Sequence, residues 1–349
     1  MPVSIIGTRG CGKSTFVGFL QQSMEKYTNR NPEKFSYFMD AKTTDVCLNK
    51  IRNRLLGGQF PMATARGDFD KLDFLTCFET TKKDRLKGIL DPKKGITNLR
   101  GALSAYENLL ILTIWDVAGE EIQESWRGVD RLSKDIKDIF DTNIMVLLID
   151  CMKLTRDIKS EKASRMRRYD AEMARVMSYY EEYRAKTHPG AELHPIVVFT
   201  KMDTMDQEII KDLPNHSLND LLNPDKEYDE DEVKEDGDKL LSQYLPGIYS
   251  NILGSAIVDV DLREAKYFFS WAGMEGEDGV TNVDGELDRT WKTIEPEGDV
   301  NPEDKVEVQS NIYPWKHYRE FISHLGDLSK EYSDKREKVM KYLDEAKKK

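Results

Sequence analysis

Four cysteines in 349 residues, Cys11, Cys47, Cys77 and Cys151, are too scattered to form a C-x-x-C pair, which excludes the simple zinc and thiol-redox sites. Spread this way they read as reduced thiols, and the expected location is the cytoplasm. No uncharged apolar run approaches the roughly 20 residues needed to cross a bilayer, and no basic stretch followed by an apolar signal core opens the chain. A formal net charge of −11 repels a nucleic-acid backbone unless a local basic face compensates, so neither nucleic acid nor membrane is an expected general partner. Internal repeats and low-complexity tracts are missing as well. What remains is 39% hydrophobic and 33% charged, a soluble globular composition with an unusually charged surface. The length suits one large domain, spanning 1–349 and enlarged by insertions.

The apolar run Val3 to Ile6 ends at Gly7, and Phe16, Val17, Phe19, Leu20 and Met24 then recur at helical spacing. That is strand, glycine loop, helix. A second helical pattern over 41–56 stops at Gly57-Gly58, and a flexible stretch is expected from Gln59 to Asp70. Leu72 to Glu79 and Asn108 to Asp116 read as an antiparallel pair of strands. Asn143 to Asp150 and His194 to Thr200 are short apolar runs of the kind buried on both faces. A long charged helix is expected over about Thr155 to Lys186, another strand over Ala265 to Ser270, and a helix from Trp315 to Tyr342 within a C-terminal region 312–349. Alternating strands and helices specify an α/β three-layer sandwich, a mostly parallel sheet with one antiparallel strand. Two segments fall outside that plan: an acidic, helical insertion at 205–262 and an acidic loop at 273–311. Their composition reads as solvated surface or as a docking face for a partner.

Gly7-Thr8-Arg9-Gly10-Cys11-Gly12-Lys13-Ser14 matches G-x-x-x-x-G-K-S, in which a bent backbone turns successive N–H groups into one concavity for phosphate oxygens. Lys13 would reach the β and γ phosphates, Ser14 would ligate Mg²⁺, and the helix continuing through Thr15 presents its positive end to the anion. Asp116-Val117-Ala118-Gly119 follows a strand; Asp116 would hold Mg²⁺ through water, and the Gly119 N–H would sense the γ phosphate. In Thr200-Lys201-Met202-Asp203 a carboxylate can accept from N1 and N2 of guanine, a donor pair adenine lacks, while the Lys201 stem covers the base. GTP and GDP are therefore the expected ligands.

These three motifs, in this order, resemble the Ras-like, translation-factor-related (TRAFAC) class of P-loop GTPases, and Trp115 to Glu121 is similar to that family's W-D-T-A-G-Q-E. Arg9-Gly10-x-Gly12-Lys13, Phe60 to Thr64 and Tyr313-Pro314 also resemble microbial domains of the double-GTPase type. The resemblance spans the core elements, about half the chain, and implies three further features. A threonine should ligate Mg²⁺ in the GTP state; Thr64 is the choice, with Thr43, Thr44 and Thr76 as alternatives. A base-contacting loop should follow the last strand, where Ser270-Trp271-Ala272 stands. A switch of this kind should answer to a protein effector or activator.

The chain departs from the family where glutamine usually orients the attacking water, for it has Glu120. A carboxylate there points away, acts as an unusual base, or marks a slow hydrolase, and the last is the expectation. Arg9, Arg66 and Arg127 are candidates for a transition-state cation supplied in cis, Arg66 or Arg9 first, with solvated surface arginines as the plain alternative. Lys153, Arg156, Lys159, Lys162, Arg165, Arg167 and Arg168 read as one basic patch near the start of the long helix. The leading function is a slow GTPase switch. A self-assembling mechanochemical GTPase is the alternative, and a P-loop ATPase or kinase leaves Thr200 to Asp203 without a role.

Overall fold

The structure is a computed structural model that describes residues 2–8, 10–31, 34–39, 41–57, 59–61, 69–78, 108–117, 134–253, 263–275, 307–309 and 312–331. Side chains at 2, 38, 41, 69–71, 77–78, 108–111, 113–117, 134–136, 274–275, 307–309 and 329–331 are outside that description. The elements run β1 (Pro2–Ile6), α1 (Lys13–Arg30), β2 (Phe35–Met39) and α2 (Ala41–Thr44). The chain goes on through a π-helical turn (Asp45–Arg52) into α3 (Asn53–Leu56), then β3 (Phe69–Phe78), β4 (Asn108–Val117), α4 (Lys134–Phe140) and β5 (Ile144–Asp150). A 3₁₀ turn (Cys151–Lys153) leads to α5 (Glu161–Thr187) and β6 (His194–Thr200), and a second one (Met202–Thr204) to α6 (Gln207–Lys211) and α7 (Leu218–Leu221). Then come α8 (Glu230–Tyr244), α9 (Pro246–Ile252), β7 (Lys266–Phe269), β8 (Gly273–Glu275), β9 (Glu307–Gln309) and α10 (Trp315–Glu331).

The main sheet has the order β2-β3-β4-β1-β5-β6-β7. β4, β1, β5, β6 and β7 pair in parallel, and β3 is antiparallel to both its neighbours. The single reversed strand is as expected. Strand β2 was not: Phe-Ser-Tyr-Phe-Met is too short to show a period, and its pairing with β3 is what holds it in the sheet. β3 begins at Phe69, so Phe69 and Asp70 belong to a strand and not to the stretch expected to be flexible.

Alternation along the parallel strands sorts the core into two layers. On β5, Met145, Leu147 and Ile149 face one side and Ile144, Val146 and Leu148 the other; β6 repeats this with Val197 and Phe199 against Ile196 and Val198. Residues of α5, α8 and α9 bury the first face, and α1 and α10 bury the second. This is a mixed α/β sandwich built on a mostly parallel sheet. Aromatic packing locks α10 and the residues before it onto α1: Phe16 packs on Tyr318 and Phe321, and Tyr313 stacks on Phe19 at 4.7 Å while its hydroxyl accepts from Ser23 Oγ at 3.2 Å. Each such ring pair adds about 0.5–1.5 kcal/mol beyond area burial.

Two expectations need correction. The segment 205–262 is helical, but its described part is no mere solvated surface: Ile209, Ile210, Val233, Leu240, Leu241, Leu245 and Ile248 are core residues. Its acidic block serves a local purpose, because Asp229 caps α8 and Glu230, Asp231 and Glu232 fill the first turn, where carboxylates meet the positive helix end. The long helix also starts later than expected, at Glu161, since Ser160 caps it by accepting from the Ala163 N–H at 3.1 Å. Three of the basic residues around its start are engaged by other groups. Arg156 lies 3.6 Å from Glu208 and 3.5 Å from Asp212, Arg165 pairs with Glu161, and Lys153 turns toward the glycine loop.

Candidate functional site

Parallel strands place their carboxyl ends along one edge, and that edge collects the motifs: the loop after β1, Asp116 next to the end of β4, Asp150 ending β5, Thr200 ending β6 and Ser270 after β7. The glycine loop is built by backbone demands. Gly10 and Gly12 have φ of 73° and 89°, a region that disfavours side chains, and Gly12 then opens α1. A Cβ on Gly7 would collide with Cys11 Sγ and stand 3.2 Å from Leu148 Cβ, so the loop closes on itself only over glycine. Cys11 N–H donates to the Thr8 carbonyl at 3.2 Å, and Lys13 Nζ donates to the carbonyls of Gly7 (2.9 Å) and Thr8 (3.2 Å). No side chain caps α1 and its first turn carries no acidic residue, leaving its N–H groups for an anion. Ser14 and Thr15 stand half-buried in that first turn.

The loop's packing yields a test. Gly7→Ala should cost about 1–3 kcal/mol in denaturant unfolding by overpacking, and adding Cys11→Ala should recover most of it. Additive losses in the double variant would contradict the collision. Burial raises the Cys11 thiol above its usual pKa, so the residue acts here as a small apolar filler.

The second loop is tied to the first. Thr200 Oγ1 lies 2.7 Å from the Cys11 carbonyl and 3.0 Å from that of Ile149, joining the end of β6 to the glycine loop and to β5. Lys201 has φ 55°, the only positive φ outside glycine among the described residues, and its ammonium pairs with buried Asp150 at 3.1 Å. A left-handed lysine costs about 1–2 kcal/mol, which the ion pair and the following 3₁₀ turn offset. Asp203 is buried in that turn. The loop after β7 fastens to it: Met202 N–H donates to the Ser270 carbonyl at 3.3 Å, and Ser270 Oγ meets Tyr318 OH at 2.7 Å. Trp271 and Ala272 are buried beside them, and the Trp271 indole Nε1–H has no hydrogen-bond partner among the described residues. A buried donor left over at this place fits a ligand rich in acceptors.

No protein-family model matches the chain. No curated protein matches it either. Among solved structures there is a likeness to a chain of the signal recognition particle receptor SRb-GTP/SRX complex from Chaetomium thermophilum, with 8% identity and a TM-score of 0.31, covering 77% of this chain and 93% of that one. At that level the likeness carries no argument, and the fold stands on strand order and packing.

The structure brings together Gly7, Gly10, Cys11, Gly12, Lys13, Ser14, Thr15, Thr200, Lys201, Asp203, Ser270, Trp271 and Ala272 along one edge. Arg9, Thr64, Arg66, Gly119, Glu120, Arg127 and the Asp116 side chain lie outside the described residues; the Asp116 backbone is in β4, next to β1. Two alternatives to Thr64 have other duties. Thr43 is buried and its hydroxyl accepts the Asp73 N–H at 2.8 Å, and Thr76 is buried inside β3. Asp150 and Tyr318, which the sequence analysis did not single out, and Lys153, which it read as part of a basic patch, also stand at this edge. Asp150 was within reach, as a polar residue closing an apolar strand at the carboxyl edge.

Proposed function

We propose that the chain binds GTP and GDP with Mg²⁺, hydrolyses GTP slowly and works as a nucleotide-dependent switch of the Ras-like kind. The reading is carried above all by the bond from Thr200 Oγ1 to the Cys11 carbonyl, which couples a phosphate loop to a base loop holding a buried carboxylate, Asp203. A carboxylate at this place selects for a base that offers two donors, as guanine does and adenine does not. Ser14, Asp116 and Thr64 would hold Mg²⁺, whose charge would neutralise the β and γ phosphates. Gly119 would sense the γ phosphate, Glu120 in place of the usual glutamine would leave the attacking water poorly oriented, and Arg66 or Arg9 would supply cationic charge in cis. A protein effector or activator would then read the state of the switch. No described helix is long and apolar enough to cross a membrane; the cytoplasmic reading rests on the scattered thiols.

Competition against labelled GTP tests the whole reading. GDP should displace it well and ATP about 100-fold less effectively, with single-turnover phosphate release on the scale of minutes or slower. Equal competition by ATP, or fast multiple turnover by the purified protein, would overturn it.

A further inference from the structure

Lys153 belongs to none of the motifs, yet its side chain runs into the site. It closes the 3₁₀ turn after β5, and its ammonium donates to Thr8 Oγ1 at 2.9 Å while lying 4.5 Å from the centroid of the Tyr169 ring. Tyr169 is itself fixed, its hydroxyl accepting the Asp150 N–H at 3.0 Å and donating to the Leu148 carbonyl at 3.4 Å. Thr8 thus receives two ammonium groups, Lys13 on its carbonyl and Lys153 on its hydroxyl.

The lysines of this edge differ in their compensation. Lys201 has the Asp150 carboxylate and Lys13 has two backbone carbonyls. Lys153 is half-buried and is held by one hydroxyl and one aromatic face, with no carboxylate in ion-pair distance among the described residues. Burial lowers its pKa, Asp150, Cys11 and Glu172 counter that, and Lys201 adds to it. A partly buried cation whose nearest carboxylates stand beyond ion-pair distance is an arrangement that an anion would complete. The anion this edge is shaped for is the phosphate chain cradled by Gly7 to Ser14 and the open end of α1.

We propose that Lys153 is a second phosphate lysine, which adds its charge to the terminal phosphate of a nucleoside triphosphate and sets the preference for triphosphate over diphosphate. The inference rests on the nucleotide reading above. Thr8 serves as the resting partner, holding the ammonium beside the loop when no γ phosphate is present. Arg156, the next basic residue along the chain, is engaged with Glu208 and Asp212 instead.

The test compares the parent with Lys153→Gln and Lys153→Arg, by affinity for GDP and for a non-hydrolysable GTP analogue. Glutamine keeps a donor for Thr8 and removes the charge; arginine keeps the charge and guards against mere loss of folding. Lys153→Gln should weaken the triphosphate analogue about 10- to 30-fold and GDP less than about threefold, with Lys153→Arg restoring most of the difference. Equal losses for both nucleotides, or an unchanged triphosphate-to-diphosphate ratio in a parent that does discriminate, would overturn the role of Lys153 alone. A parent that binds neither nucleotide would overturn the GTP reading and this inference with it.

Discussion

Asp203→Ala should lower GTP and GDP affinity about a thousandfold while affinity for inorganic triphosphate stays within a few-fold of the parent's. The magnitude follows from two charge-assisted hydrogen bonds of about 1.5–3 kcal/mol each that a guanine would make with one buried carboxylate. Asp203 sits in the turn that Lys201 enters in a left-handed conformation, so the carboxylate is presented by backbone geometry as well as by burial. Truncation to alanine leaves that backbone in place. Nucleotide titration followed by calorimetry reads the result directly, and circular dichroism confirms the fold. A variant that binds GTP as tightly as the parent would remove Asp203 from the site and with it the guanine assignment.

Lys13→Met should cost at least about 100-fold in affinity for both GTP and GDP, and should act on the protein without ligand too. Lys13 is buried and its ammonium is divided between the Gly7 and Thr8 carbonyls. Methionine matches the stem in volume but leaves both carbonyls short of a donor, a loss of about 1–3 kcal/mol in unfolding free energy. The pairing of a binding defect with a measurable stability defect distinguishes this position from Asp203. Unchanged nucleotide affinity in a folded Lys13→Met protein would mean that the glycine loop holds no phosphate. Thr8 links this result to Lys153, because both ammonium groups end on that residue; the two substitutions should therefore not be additive.

Much of the site was legible in the chain because each motif depends on local backbone rules. Gly10 and Gly12 are required by positive φ, Lys13 and Ser14 follow at a fixed spacing into a helix, and Asp203 follows a strand whose apolar run marks its end. Strand β2 was illegible for the opposite reason: five residues carry no readable period, and only pairing with β3 makes them a strand. Composition also misled at 205–262, where acidic residues at the start of α8 conceal an inward stripe of Val233, Leu240 and Leu241.

The sequence by itself determined a strand–glycine loop–helix unit, a carboxylate-bearing turn after β6 and an α/β plan to carry them, because these depend on spacing and on conformations only certain residues adopt. Tertiary structure decided the rest. It sent Lys153 to Thr8 instead of to a basic helix face, set Asp150 against Lys201, and bound Thr200 to Cys11 across 189 positions of chain. Contacts between strand ends that are remote in sequence are fixed by sheet order and register, and no local pattern encodes which ends will meet.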